Sequence, residues 1–153
     1  MRVKVSSIFD MPAKMVFDRV QRFDTLENVS KPLIYFKPIE PKEIDNCVSG
    51  GSYLTKIFLF KFFYIGKHVI NIVKLDKHDG VIVSNETGIV KRWNHTITVE
   101  DRGSKSQYTD EIEIESGIFT FFIWLFATIY YRHRHRRWKE MIRKFNKDQK
   151  KGR

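Results

Sequence analysis

His95 and Asp110 are the two residues whose types and placement best suit them to chemistry. They flank Asp101-Arg-Gly-Ser104, a segment with turn chemistry. If that segment closes a tight hairpin, opposing residue numbers sum to about 205. His95 then faces Asp110, Trp93 faces Ile112, and Ile97 faces Tyr108. Strand residues alternate sides, so Trp93, His95, Ile97, Tyr108, Asp110, Ile112 and Ile114 share one face. The opposite face collects threonines and glutamates, which belong in water. An inward His–Asp pair has three uses: a mutually satisfied structural pair, an anchor for the polar end of a ligand, or a general base held in one tautomer.

A second group with chemical potential lies in the last third. Glu111-Ile-Glu-Ile-Glu-Ser116 breaks at Gly117, and an apolar run from Ile118 to Tyr131 follows. It gives way to Arg132-His-Arg-His-Arg-Arg137-Trp138. A long terminal helix that is greasy first and cationic second predicts a front half enclosed by a sheet and a back half in water. Phe122, Leu125, Phe126 and Ile129 follow helical spacing and form a candidate cavity wall, with core packing as the alternative. Arg132, Arg134, Arg136 and Arg137 form a candidate anionic-surface contact, with a solvated helix face as the alternative. His133 and His135 are two residues apart, so on a helix they diverge by about 200°. Zinc ligands on one helix want three- or four-residue spacing, so no metal site is expected.

Composition narrows the class. The chain has 153 residues and a net charge of +10. From Arg132 onward, eleven basic residues face only Glu140 and Asp148, so the preceding body is almost neutral. Nucleic-acid binding, which needs positive charge over a face or groove, is disfavoured. Cys47 is the only cysteine, which excludes an intrachain disulfide and a multi-cysteine zinc site. No cofactor loop or nucleophile elbow is present. Met1-Arg-Val-Lys-Val-Ser-Ser reads as a strand rather than a leader. The apolar run of 14 residues from Ile118 to Tyr131 falls short of a bilayer span. A cytoplasmic location is the expectation.

These groups need a scaffold, and the pattern supplies one. A first strand is predicted over 2–9. A helix starts at Asp10-Met-Pro-Ala13 with Val16, Phe17, Val20 and Phe23 on one face, and a short second helix begins at Asp24-Thr-Leu-Glu27. Glycines then punctuate strands near 52–63, 67–76, 80–87, 89–101 and 105–116. This order predicts an α+β fold: a curved antiparallel sheet of about six or seven strands around the terminal helix. Residues 1–146 form one domain, and 147–153 a basic disordered tail.

Several segments together resemble the START and polyketide-cyclase superfamily (SRPBCC), in the manner of its uncharacterised bacterial ligand-binding members. They are Val5-Ser-Ser-Ile-Phe-Asp-Met-Pro-Ala13 with Val16-Phe17, Gly51-Ser-Tyr-Leu-Thr-Lys56, Trp93-Asn-His95 with Tyr108-Thr-Asp110, and Tyr131-Arg-His-Arg-His-Arg-Arg-Trp138. The resemblance implies a helix-grip fold and a cavity for a lipid, polyketide or aromatic ligand. In that setting Trp93, His95, Tyr108, Asp110, Phe122, Leu125, Phe126 and Ile129 are the candidate ligand contacts. The leading expectation is a binding or carrier module without cofactor. The alternatives are a cyclase or aromatase using His95 as base and Asp110 to orient it, and a peripheral membrane or partner-binding protein using the basic helix.

Overall fold

The computed structural model describes residues Met1–Arg153. Strand β1 (Arg2–Phe9) leads into α1 (Ala13–Val20) and α2 (Phe23–Ser30). Six strands follow: β2 (Ile34–Glu40), β3 (Ser52–Leu59), β4 (Phe63–Asp76), β5 (Val81–Thr87), β6 (Arg92–Arg102) and β7 (Lys105–Glu115). A 3₁₀ turn at Gly117–Phe119 then opens the 32-residue α3 (Thr120–Lys151). The seven strands form one antiparallel sheet in the order β1-β7-β6-β5-β4-β3-β2. This is the α+β helix-grip architecture expected from the sequence.

Alternation holds along the sheet. Tyr53, Thr55 and Ile57 of β3, His68, Ile70 and Ile72 of β4, and Ile82 and Ser84 of β5 are buried on the concave side. His95, Ile97 and Val99 of β6 continue it, as do Tyr108, Asp110, Ile112 and Ile114 of β7. The β6–β7 pairing itself differs from the expected one. Arg102 pairs with Lys105, His95 with Ile112 and Ile97 with Asp110, so paired numbers sum to 207. The turn is the two-residue Gly103-Ser104 rather than the longer segment, and Gly103 supplies the left-handed conformation it needs, at φ 75°. A slip of two residues preserves parity, so the predicted faces survive the wrong register.

Three other boundaries moved. The β3–β4 turn is at Phe60–Phe62, and Gly66 instead sits at a bulge, where Ile57 pairs with Gly66 but Phe58 with Tyr64. Strand β2, missing from the strands read off the sequence, lies at the sheet edge, where Pro38 needs no amide partner on its outer side. At the helices, Pro12 precedes α1 with no side-chain cap, and Asp24 pairs with Arg22 rather than capping α2.

Helix α3 departs in part from the expected burial. Ala127, Tyr130 and Tyr131 are enclosed and Arg132, Arg136 and Lys139 lie in water as expected, but the first turns and the Arg134–His135 stripe do not follow. Its apolar start is open to solvent, with Ile118 87% and Phe122 67% exposed, while Ala127, Tyr130, Tyr131, Arg134, His135, Trp138 and Ile142 are buried. At 1.5 Å per residue the helix is about 48 Å long, and residues at both its ends stand exposed. Axial position, not hydrophobicity, decides which turns are enclosed. Residues 147–151, expected as part of a tail, are exposed final turns of α3. No helix is long and apolar enough to cross a membrane.

Candidate ligand cavity and its buried ionic floor

A cavity of about 500 Å³ lies between the concave sheet, α2 and α3. Of its 32 lining residues 23 are hydrophobic, so burial of apolar surface dominates whatever occupies it. Ile57, Ile70, Ile72, Ile82 and Ile97 supply the sheet wall, and Val29 of α2 and Phe126 of α3 face them. Of the ligand contacts read from the sequence, Trp93, His95, Phe122 and Phe126 line it.

Tyr108 and Asp110 do not; they sit fully buried behind the wall. Tyr108 stacks on Phe9, with centroids 5.0 Å apart, and Trp138 lies 5.5 Å from both rings. Leu125 and Ile129 point away and are 44% and 55% exposed, because they occupy the side of α3 opposite Ala127 and Tyr131. Among the arginines, Arg132 and Arg136 are exposed and Arg137 bonds Asn28 and Glu140. Arg134 is only 5% exposed and lines the cavity, so it does not belong to a cationic surface.

What Arg134 joins is a buried polar chain. Asp110 Oδ1 lies 2.7 Å from His95 Nε2, and its Oδ2 lies 2.9 Å from His135 Nε2 and 3.5 Å from Arg134 Nε. Arg134 also donates to the Tyr108 hydroxyl at 3.0 Å, and that hydroxyl donates to Asp110 at 3.2 Å. Beyond His95, Glu86 Oε1 stands 3.7 Å from Nδ1, while Glu86 Oε2 meets His68 Nε2 at 2.7 Å. Ser84 donates to Glu86, and His135 Nδ1 reaches Ser7 Oγ at 2.8 Å. One chain of contacts therefore ties β1, β4, β5, β6, β7 and α3 together.

Burial alone would raise the pKa of Asp110, but the charge of Arg134 and the hydrogen bonds from His135 and His95 outweigh it and hold the carboxyl well below its usual range. Glu86 is likewise depressed: burial opposes, and His68 and His95 prevail. His95 moves the other way, because its bonds to Asp110 and Glu86 overcome desolvation and raise its pKa. Each shift links stability to pH. The carboxylates contribute fully above their ordinary values of 3.8 and 4.5 and lose that contribution as pH falls towards their depressed ones. His95 contributes fully below its ordinary 6.5 and loses its contribution as pH rises through its raised value. Urea midpoints should therefore plateau between about pH 5 and 6 and fall on both sides. His95→Gln should remove the alkaline decline; an unchanged alkaline limb would place its cause elsewhere.

His68 and Glu86 were not among the residues picked from the sequence, and Arg134 and His135 were read there as a surface cation and a rejected metal ligand, although signals for their inward placement existed. His68 precedes Ile70 and Ile72 at period two, and Ile82, Ser84 and Glu86 share one parity. Ala127, Tyr131, Arg134, Trp138 and Ile142 follow three- and four-residue steps that mark one buried stripe.

Solved structures share this architecture. Protein CV1439 from Chromobacterium violaceum is 11% identical, with a TM-score of 0.74 over 92% of this chain and 96% of that one. A protein from Arthrobacter aurescens, also 11% identical, gives 0.72 over 94% of this chain and 86% of its own. Ara h 8.0201, 11% identical, gives 0.68 over 93% and 97%. At such identities the likeness is one of fold, and it is the helix-grip fold. No curated protein matches the sequence. Residues 7–142 match the family described as Domain of unknown function (DUF8410), and the chain belongs to that family.

Proposed function

We propose that this chain binds or carries a small hydrophobic ligand, lipid, polyketide or aromatic in character, in the manner of the START and polyketide-cyclase superfamily. The observation that carries the reading is the cavity of about 500 Å³ with its hydrophobic lining. That volume lies within the usual range for small-molecule sites, and a filled core would have no such space. At its floor His95, Glu86, His68 and Arg134 provide polar groups for one end of a ligand.

The chemistry of His95 favours binding over proton abstraction. Both its nitrogens face carboxylates, Asp110 at 2.7 Å and Glu86 at 3.7 Å, and its pKa is raised. With one ring nitrogen bonded to Asp110 and the other turned to Glu86, the imidazole holds neither free for a substrate proton. A cyclase reading needs a ring nitrogen free to face the substrate. His95→Gln should accordingly weaken ligand affinity rather than turnover.

Native mass spectrometry of the purified protein, with organic extraction of what stays bound, is the direct test. A bound apolar molecule is the expected result. Ile97→Trp, which places an indole in the cavity, should displace it and cost under about 1 kcal/mol in urea unfolding. A clean apo mass together with a loss of about 1–3 kcal/mol in Ile97→Trp, the overpacking cost of a filled core, would sink the proposal.

A further inference from the structure

The mouth of the cavity is rimmed by apolar side chains, two of them aromatic, that project into solvent. Phe119 of the 3₁₀ turn and Phe122 at the start of α3, with Ile65 of β4 and Ile89 of the β5–β6 turn, line the cavity and are also exposed. In the same two segments, Phe62 is 81% exposed at the β3–β4 tip and Ile118, next to Phe119, is 87% exposed in the 3₁₀ turn. Phe60 and Lys61 of the same tip hold left-handed backbone, at φ 49° and 72°. That conformation is costly for a bulky residue. An apolar collar of this kind signals a partner.

Charge identifies the partner. On the outer face of the sheet Lys37 pairs directly with Lys56, and Lys56 with Lys67. Like charges at opposed positions destabilise a sheet, so this row of lysines costs the isolated fold free energy. No aspartate or glutamate occurs from Ser52 to Leu75 to offset them, and residues Ser116 to Tyr131 carry no charge at all. Lys56 and Lys67 stand four residues back from Phe60 and Phe63, about 13 Å along the strands. Rings at the tip embedded about 5–10 Å into a bilayer would leave the lysines level with the phosphates. Aromatics at the tip, cations one step behind and no anions between them are complementary to a lipid surface of negative charge.

We infer that the β3–β4 tip and the start of α3 dock on an anionic phospholipid bilayer, with the lysine row holding the headgroups and the cavity mouth turned towards the lipid. The inference rests on the cavity reading for its purpose, since docking would let a hydrophobic ligand pass between bilayer and cavity without crossing water. The surface itself lies apart from the basic stretch of α3.

Co-sedimentation of the full chain with phosphatidylcholine vesicles, with and without phosphatidylglycerol, tests it. Wild type should bind the anionic vesicles, and more weakly as salt rises. Replacing Lys37, Lys56 and Lys67 together by Gln should weaken binding roughly thirtyfold or more and flatten the salt dependence. The double variant Phe62→Ser with Ile118→Ser should weaken it at least tenfold, by about 1.4 kcal/mol per tenfold. Neither residue lines the cavity, so native mass spectrometry should find its ligand content unchanged, which keeps this test separate from that of the cavity. Circular dichroism checks that both variants fold. Equal binding by wild type and folded variants would overturn the inference. So would failure of wild type to bind, or a sedimentation-velocity dimer dissolved by Phe62→Ser and Ile118→Ser, which would assign the collar to a second copy of the chain.

Discussion

Asp110→Ala should lower the free energy of unfolding by about 3–5 kcal/mol, the cost of breaking a buried ion pair from one side. Asp110 is completely buried, and it is the acceptor on which His95, His135 and the Tyr108 hydroxyl converge, with the Arg134 guanidinium alongside. Its removal leaves Arg134 charged inside the fold, where burial cannot be relieved by losing a proton. It also removes one of the two carboxylates that raise the pKa of His95, so the alkaline limb of the stability profile should move to lower pH. Urea unfolding across pH measures both effects. Asp110→Leu combined with Arg134→Met should cost much less than the sum of the two single changes, because it deletes both charges together. A loss under about 1 kcal/mol for Asp110→Ala would mean that the polar floor is hydrated rather than dry.

Trp138→Ala should cost a similar amount, about 3–5 kcal/mol, through packing rather than charge. The indole is fully buried, and its ring lies 5.5 Å from both Phe9 and Tyr108. It lines the cavity and packs in the buried core cluster with Phe9, Val16, Phe17 and Ile142. Truncation therefore enlarges an existing cavity instead of opening an isolated hole. A bulkier apolar ligand should bind the variant better than wild type and restore part of the lost stability, by mass action on the folded state. Denaturant midpoints with and without the extracted ligand decide the matter. A full loss of stability that no apolar additive restores would show that the vacated space collapses and does not join the cavity.

Much of this protein was readable before folding. Alternation along β6 and β7 determined that His95 and Asp110 face inward while Glu111 and Glu113 do not, because side-chain direction in a strand depends only on odd or even position. The same rule explains why the two-residue register error did no harm to the site: it exchanged cross-strand partners but not faces. Glycine and turn chemistry located the meander, and the greasy-then-cationic stretch located the long terminal helix. Helical periodicity could also have marked Arg134 and His135 as inward-facing, had charge not argued for solvent.

Other features were not written in local pattern. Glu86 and His68 reach His95 across neighbouring strands, and Arg134 reaches Asp110 from the opposite layer. Those meetings depend on sheet curvature and on where α3 lies along its axis. The same axial position exposes Ile118 and Phe122 while burying Arg134 and His135, the reverse of what hydrophobicity alone predicts. Sequence by itself therefore determined the element order and the inward faces, since both follow from periodicities of two and 3.6 residues. Only the tertiary structure decided which polar groups meet, how large the cavity is and which aromatics remain in water. Those are distances between segments far apart in the chain, set by how a long helix seats on a twisted sheet.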